Sequence, residues 1–189
     1  MTATRRQLLV RGAGAASAAA LPATLLAVAP AFAQEDAETD ELARLIALER
    51  GSALAYETAA ESKGLDAEAS KLAETLRGHE TEHATALETA IDQLGVDPPE
   101  DSDDPADYEQ LDGLDAAKTQ KDLLDLLIVL EEELVTAYRD AALALETDDL
   151  IRTGAQVGAS HAQHLVALRL LRGDSPAAAA ALPEATAKG

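Results

Sequence analysis

The chain contains no cysteine and no tryptophan, and aromatic residues make up only 2% of it. The absence of cysteine excludes thiolate-bound zinc, iron–sulfur clusters, a catalytic thiol and disulfides. The scarcity of aromatic residues disfavours sheets, which draw on β-branched and aromatic side chains. Ala and Leu dominate instead, and these favour closely packed helices. Basic residues are few as well: 15 Lys and Arg stand against 35 Asp and Glu, a formal net charge of −20. Such a balance argues against nucleic acid, whose phosphates need neutralising Lys and Arg. It suits a protein that attracts cations, and equally one whose surface charge serves solubility or salt adaptation. The length, 189 residues, is that of one ordinary domain.

What is there begins with an export pattern. Thr4-Arg5-Arg6-Gln7-Leu8-Leu9 carries twin arginines, an apolar Ala-rich run follows from Gly12 to Phe32, and Ala31-Phe32-Ala33 is an A-x-A cleavage pattern. Basic start, apolar middle and small-residue exit are the parts of a bacterial signal over residues 1–33. Pro22 and Pro30 interrupt a long spanning helix; an uncleaved membrane anchor is the other reading. The twin-arginine pattern resembles signals of the route that exports folded proteins, often with a cofactor in place. This predicts a periplasmic, cell-wall or extracellular destination, with membrane contact only through the signal. Cleavage would remove Arg5, Arg6 and Arg11 and no acid, leaving the chain more acidic still. Residues 34–41 read as a short polar leader.

The rest, residues 42–173, has helical periodicity. Leu42, Leu45, Glu49, Ser52, Tyr56 and Ala60 share one face of a first helix, which Ser62-Lys63-Gly64 stops. Asp66 can cap a second, with a stripe of Leu72, Leu76, His79 or Glu80, His83, Leu87, Ile91 and Leu94, ended by Gly95. Residues 96–118 are acidic, hold Pro98, Pro99, Pro105 and Gly113, and read as a loop. Thr119 and Asp122 suit the start of a third helix, which runs through Leu123, Leu127, Glu131, Leu134, Tyr138 and Ala142 to about Glu146. After Thr147-Asp148-Asp149 a fourth carries Val157, His161, His164, Leu165 and Leu168 to Arg172, before Gly173. Residues 174–189 read as a flexible tail.

The chain also repeats itself. Leu45-Ile46-Ala47-Leu48-Glu49 lies over Leu127-Ile128-Val129-Leu130-Glu131, and Tyr56 over Tyr138, both at an offset of 82. His83 lies over His164 and Leu87 over Leu168 at an offset of 81, so Glu80 falls over His161. Two helical hairpins of similar sequence are therefore predicted. A helix of about 28 residues is roughly 40 Å long. A loop of about twenty residues can span that length, since extended chain covers about 3.3 Å per residue. It can start the third helix back at the far end of the bundle.

Within this frame Glu80-Thr81-Glu82-His83 is a Glu-x-x-His pair, which puts a carboxylate and an imidazole on one helix face. Over residues 42–172 the sequence resembles the ferritin-like superfamily of metal carboxylate proteins. Those four-helix bundles take a Glu from each of two helices and a Glu-x-x-His from each of the other two. The resemblance implies an all-α bundle of two hairpins joined by a long crossover. It implies metal ligands at Glu49, Glu80, His83, Glu131 and His164. The place of the last Glu is held by His161, so the fourth helix reads His-x-x-His, with His161 taken as the sixth ligand. Among the consecutive Glu131, Glu132 and Glu133, only Glu131 shares a face with Leu127, Leu134 and Tyr138. Tyr56 and Tyr138 stand two turns beyond Glu49 and Glu131; the resemblance implies that they hydrogen-bond ligating carboxylates, and filling an aromatic-poor core is the alternative. His79 is placed outside the ligand set, as a neighbour to it at most.

Six ionisable groups on the inner stripes would each cost several kcal/mol to bury uncompensated. Two divalent ions would compensate them; mutual hydrogen bonding in a metal-free core would do so too. Oxygen and imidazole donors suit iron or manganese. The resemblance implies ferrous oxidation or reaction with oxygen or peroxide, with an outside reductant, since no cysteine-ligated electron-transfer module is present. Metal binding or storage without turnover, as an oligomer, and a metal-free stress-related bundle are the alternatives. Glu80 is the natural bridge between two ions. His161 cannot bridge as a carboxylate does, so weaker coupling between the ions, or one well-held ion, is expected.

Overall fold

The computed structural model describes residues 29–183, except 103, 105, 106, 109, 110 and 112. Four long helices make a ferritin-like four-helix bundle with no strand among the described residues: α1 (Ala29–Glu61), α2 (Ala67–Gln93), α3 (Gln120–Ala144) and α4 (Asp148–Arg172). A single turn, α5 (Pro176–Ala179), follows. The twin-arginine segment, residues 1–28, lies outside the described residues. Among those described, no helix is long and apolar enough to cross a membrane.

Local chemistry sets the helix ends. The Asp66 carboxylate accepts the backbone N–H groups of Glu68 and Ala69 and starts α2. Thr119 and Asp122 form a reciprocal capping box on α3. Gly173, at φ 102°, closes α4 in the left-handed conformation that glycine adopts without penalty.

The crossover is visible in three contacts. Arg50, midway along α1, donates to the Pro99 carbonyl (2.6 Å) and pairs with Glu88 at 2.8 Å. The loop passes it on its return and buries Tyr108, Leu111 and Leu114 in the core. At the far end the loop reaches the α1–α2 turn. A Cβ on Gly64 would stand 2.8 Å from Leu123 Cδ1 and 3.0 Å from the Lys118 carbonyl oxygen, too close for a side chain. Asp66 and Gln120 then exchange two hydrogen bonds, backbone N–H to Oε1 at 2.7 Å and Nε2 to Oδ2 at 3.0 Å. The starts of α2 and α3 are thereby side by side, which makes these two helices parallel. Leu42, Leu45, Ile46, Leu87, Ile91, Leu123, Leu127, Leu134, Leu165 and Leu168 are all essentially buried, each worth about 1.5–3 kcal/mol.

Two segments differ from the sequence reading. Helix α1 starts at Ala29 rather than Leu42 and runs through the expected polar leader. Polarity alone marked that leader, yet Glu38 within it is buried. Its carboxylate accepts the backbone N–H groups of Glu146 (2.6 Å) and Thr147 (2.7 Å) and the Thr147 hydroxyl (2.8 Å). The Thr147 side chain makes no cap bond of its own, so a distant residue of α1 holds the α3–α4 turn. The tail expected from residue 174 is packed as far as residue 183 is described. Ser175 caps α5, Ala179 is fully buried, and the Arg169 guanidinium donates to the carbonyls of Ala179 (3.3 Å) and Ala181. Buried backbone carbonyls need donors, and Arg169 supplies them.

Glu38→Ala leaves two backbone donors of the α3–α4 turn unpaired. The expected cost is about 1–2 kcal/mol, read as a lowered melting temperature at roughly 2–4 °C per kcal/mol. An unchanged melting temperature would show that water caps the turn equally well.

Candidate metal centre

The six charged positions of the inner stripes converge at mid-bundle. Glu49, Glu80, Glu131 and His161 have no exposed surface, His164 is 4% exposed, and His83 is half-buried at the edge. Each comes from a different register on its own helix: Glu49 from α1, Glu80 and His83 from α2, Glu131 from α3, and His161 and His164 from α4. Of the three consecutive acids on α3, Glu131 faces inward. Glu132 instead meets Arg169 at 2.6 Å.

The hairpin repeat is expressed as reciprocal contacts. The Tyr56 hydroxyl of the first hairpin donates to Glu131 Oε1 of the second (2.5 Å), and the Tyr138 hydroxyl of the second donates to Glu49 Oε1 of the first. Both tyrosines therefore hold carboxylates, each across the bundle rather than along its own helix. These pairs make α1 and α3 antiparallel. A Cβ on Gly158 of α4 would stand 2.9 Å from the Tyr138 Cβ, so the absence of a side chain there lets Tyr138 reach the centre.

His161 lies between two carboxylates, with Nε2 3.0 Å from Glu49 Oε1 and Nδ1 3.0 Å from Glu131 Oε2. His164 Nδ1 is 3.2 Å from Glu131 Oε1 and 3.0 Å from Glu80 Oε1. His83 Nδ1 is 3.3 Å from Glu49 Oε2 and 3.7 Å from Glu80 Oε2. Distance is not the same as bonding here. Glu49 Oε2, both oxygens of Glu80 and His83 Nδ1 are buried and, among the described residues, have no partner in hydrogen-bonding geometry. Unpaired buried acceptors are costly, and a cation at these atoms would satisfy them.

Two overlapping groups of donors each lie within 4.8 Å of one another: Glu49, Glu80, His83 and His161; and Glu80, Glu131, His161 and His164. Carboxylate oxygens and imidazole nitrogens fit iron, manganese or zinc, and the donor set contains no sulfur. All six sequence-predicted ligand positions are thus brought together. His79 sits outside them at the surface. Its Nδ1 is 3.0 Å from His164 Nε2, and the two rings stack at 5.2 Å. Ser160 Oγ, 3.2 Å from the same nitrogen, was not identified from the sequence; its place one turn before His164 was the available signal. These two residues fix the His164 ring so that Nδ1 faces the carboxylates.

Proton affinities follow from burial and neighbours. Burial alone would lower the pKa of His161, but Glu131 and Glu49 outweigh it and hold the pKa well above the ordinary value. His164 is likewise raised, against burial, by Glu131 and Glu80. His83 is raised, against burial, to about 9 by Glu49 and Glu80. Burial would raise Glu49 and Glu131, yet the imidazoles beside them lower both. Glu80 is raised, because burial there outweighs His164 and His83. His79 is lowered by desolvation and by His164 and His83.

A family model described as a ferritin-like domain matches residues 37–174, which takes in every residue of the centre. No curated protein and no solved structure matches the chain.

The stability of metal-free protein should follow these imidazoles. A group whose pKa rises on folding stabilises fully below its unfolded value and loses that contribution as pH rises through its folded value. For His83 the window is 6.5 to about 9. Melting of chelator-treated protein should therefore fall in temperature from pH 6.5 to 9. Metal affinity should instead rise over the same range, because ions compete with protons for the ligands. Parallel pH series with and without chelator check both signs. Tyr138→Phe should cost about 1.5–3 kcal/mol, the worth of a hydrogen bond to a charged group, in chemical denaturation.

Proposed function

The chain belongs to the ferritin-like domain family, and from that premise we propose that its buried centre binds two ions of iron or manganese and reacts with oxygen or peroxide, ferrous oxidation included. The observation that carries this is the set of unpaired buried donor atoms on Glu49, Glu80 and His83, inside two four-residue donor groups. Bound iron or manganese would supply two-electron chemistry toward oxygen or peroxide. The chain's own residues do the remainder. Glu49 and His83 would hold one ion, Glu131 and His164 the other, with Glu80 and His161 between them. Tyr56 and Tyr138 orient the carboxylates of Glu131 and Glu49. The apolar layers on either side of the centre exclude water and so strengthen each electrostatic contact. Turnover would draw electrons from an outside reductant.

Export belongs to the same proposal. The twin arginines at Arg5 and Arg6 and the Ala31-Phe32-Ala33 pattern support a twin-arginine signal cleaved after Ala33 and a periplasmic, cell-wall or extracellular site of action.

A second reading has an observation in its favour. His161 bonds Glu49 and Glu131 at once, so protons alone neutralise part of the cluster, as a metal-free structural bundle would require. Binding or storage without turnover, including in an oligomer, stands between the two.

Elemental analysis of protein purified from its exported location should find iron or manganese. Added Fe(II) or Mn(II) should raise the melting temperature, by about 2.7 kcal/mol of stability at a hundredfold excess over Kd. No metal and no thermal shift would leave the metal-free reading. Oxygen or peroxide consumption by loaded protein separates turnover from storage. His161→Glu should alter both metal content and rate; unchanged values would remove His161 from the ligand set.

A further inference from the structure

The two donor groups share two residues, Glu80 and His161. Glu80 serves both by turning one oxygen to each. Its Oε1 lies 3.0 Å from His164 Nδ1 in one group, and its Oε2 lies 3.7 Å from His83 Nδ1 in the other. His161 does the same with its ring. Its Nε2 faces Glu49 and its Nδ1 faces Glu131, each at 3.0 Å, and Glu80 Oε2 stands 3.8 Å from the same Nδ1.

An imidazole that serves one ion ordinarily spends its second nitrogen on a carboxylate or carbonyl outside the ligand set. Among the described residues, the His161 nitrogens meet no such outside acceptor, only Glu49, Glu131 and Glu80. The carboxylate at its second nitrogen belongs to the other donor group, whichever group is taken first. The ring is also clamped: it stacks on Tyr138 with centroids 5.2 Å apart, and it stands edge-on to His83 and His164. The hairpin repeat lays His161 over Glu80, so the ring occupies the place related to the bridging carboxylate.

We propose that His161 is a second bridge between two ions, giving Nε2 to the ion held by Glu49, Glu80 and His83 and Nδ1 to the ion held by Glu131, Glu80 and His164. This rests on the metal-centre reading above. The charges balance. On loading, each ion takes the place of one ring proton, both protons pass to solvent, and no electron moves. Three carboxylates and one imidazolate carry four negative charges, which match two divalent ions. The replacement of a fourth carboxylate by His161 therefore keeps the charge of the usual ligand set, provided the ring is used at both ends. The sequence-based expectation of weak coupling assumed a ring used at one end.

Copper(II) tests this, because it binds such nitrogen and oxygen donors more tightly than other divalent first-row ions and each isolated ion gives an electron paramagnetic resonance signal. Full-length protein is titrated with copper, bound metal is counted by mass spectrometry, and the spin intensity is integrated. The expected result is two ions per chain and a signal that grows with the first equivalent and is lost with the second. Glu80→Gln should keep that loss of signal, and His161→Gln should restore full intensity for every ion bound. Circular dichroism verifies that each variant folds; should His161→Gln not fold, the wild type and Glu80→Gln decide. Two ions with full intensity in the wild type, a single ion, or coupling that vanishes in Glu80→Gln but survives in His161→Gln each overturn the bridge and leave metal binding intact. No bound ion at all overturns the metal-centre reading itself.

Discussion

Charge brought out of water is the constraint on which the rest of this structure depends. Glu49, Glu80, Glu131, His161 and nearly all of His164 are removed from solvent, and each would cost several kcal/mol if left alone. They are affordable only together. That requirement dictates the register of all four helices, because a shift of one residue on any of them would carry its ligand out of the cluster. The tyrosines, the gap at Gly158 and the His79–His164 stack serve the same end. They fill hydrogen-bonding capacity that the cluster cannot fill from within.

The cluster also explains why its members differ in proton affinity. Glu49 and Glu131 each face two imidazoles and stay ionised, whereas Glu80 lacks a hydrogen bond in good geometry and is raised by burial. Glu80 is thus the acid least served by hydrogen bonds from its neighbours and the one placed between both donor groups. A residue so situated contributes little to a metal-free core. A cation between the two donor groups would satisfy the Glu80 oxygens that the protein's own hydrogen bonds leave unpaired.

Much of this was legible in the sequence, and for physical reasons. Helix periodicity, caps at Asp66 and Thr119 and the twofold repeat are local or self-referential signals, so the four helices, the crossover and the inward choice of Glu131 could be read directly. The repeat added what periodicity could not: it paired Glu49 with Glu131 and exposed His161 as the odd member. What escaped was non-local. Glu38 looks like leader because its partners, Glu146 and Thr147, lie 108 and 109 residues away. Arg169 looks like an ordinary helix-end cation until the tail folds back onto it. The crossed tyrosine pairs needed the relative direction of α1 and α3, which spacing along either helix does not contain.

The crossed contacts between hairpins have one more consequence. A centre built from two copies of a single hairpin would be bound by symmetry to an even number of each donor. Here three carboxylates meet three imidazoles, an odd count of both. Two identical hairpins cannot hold that composition, whereas joined halves that are free to diverge can. The long crossover is therefore more than a connector: it is what permits an asymmetric centre inside a nearly symmetric frame.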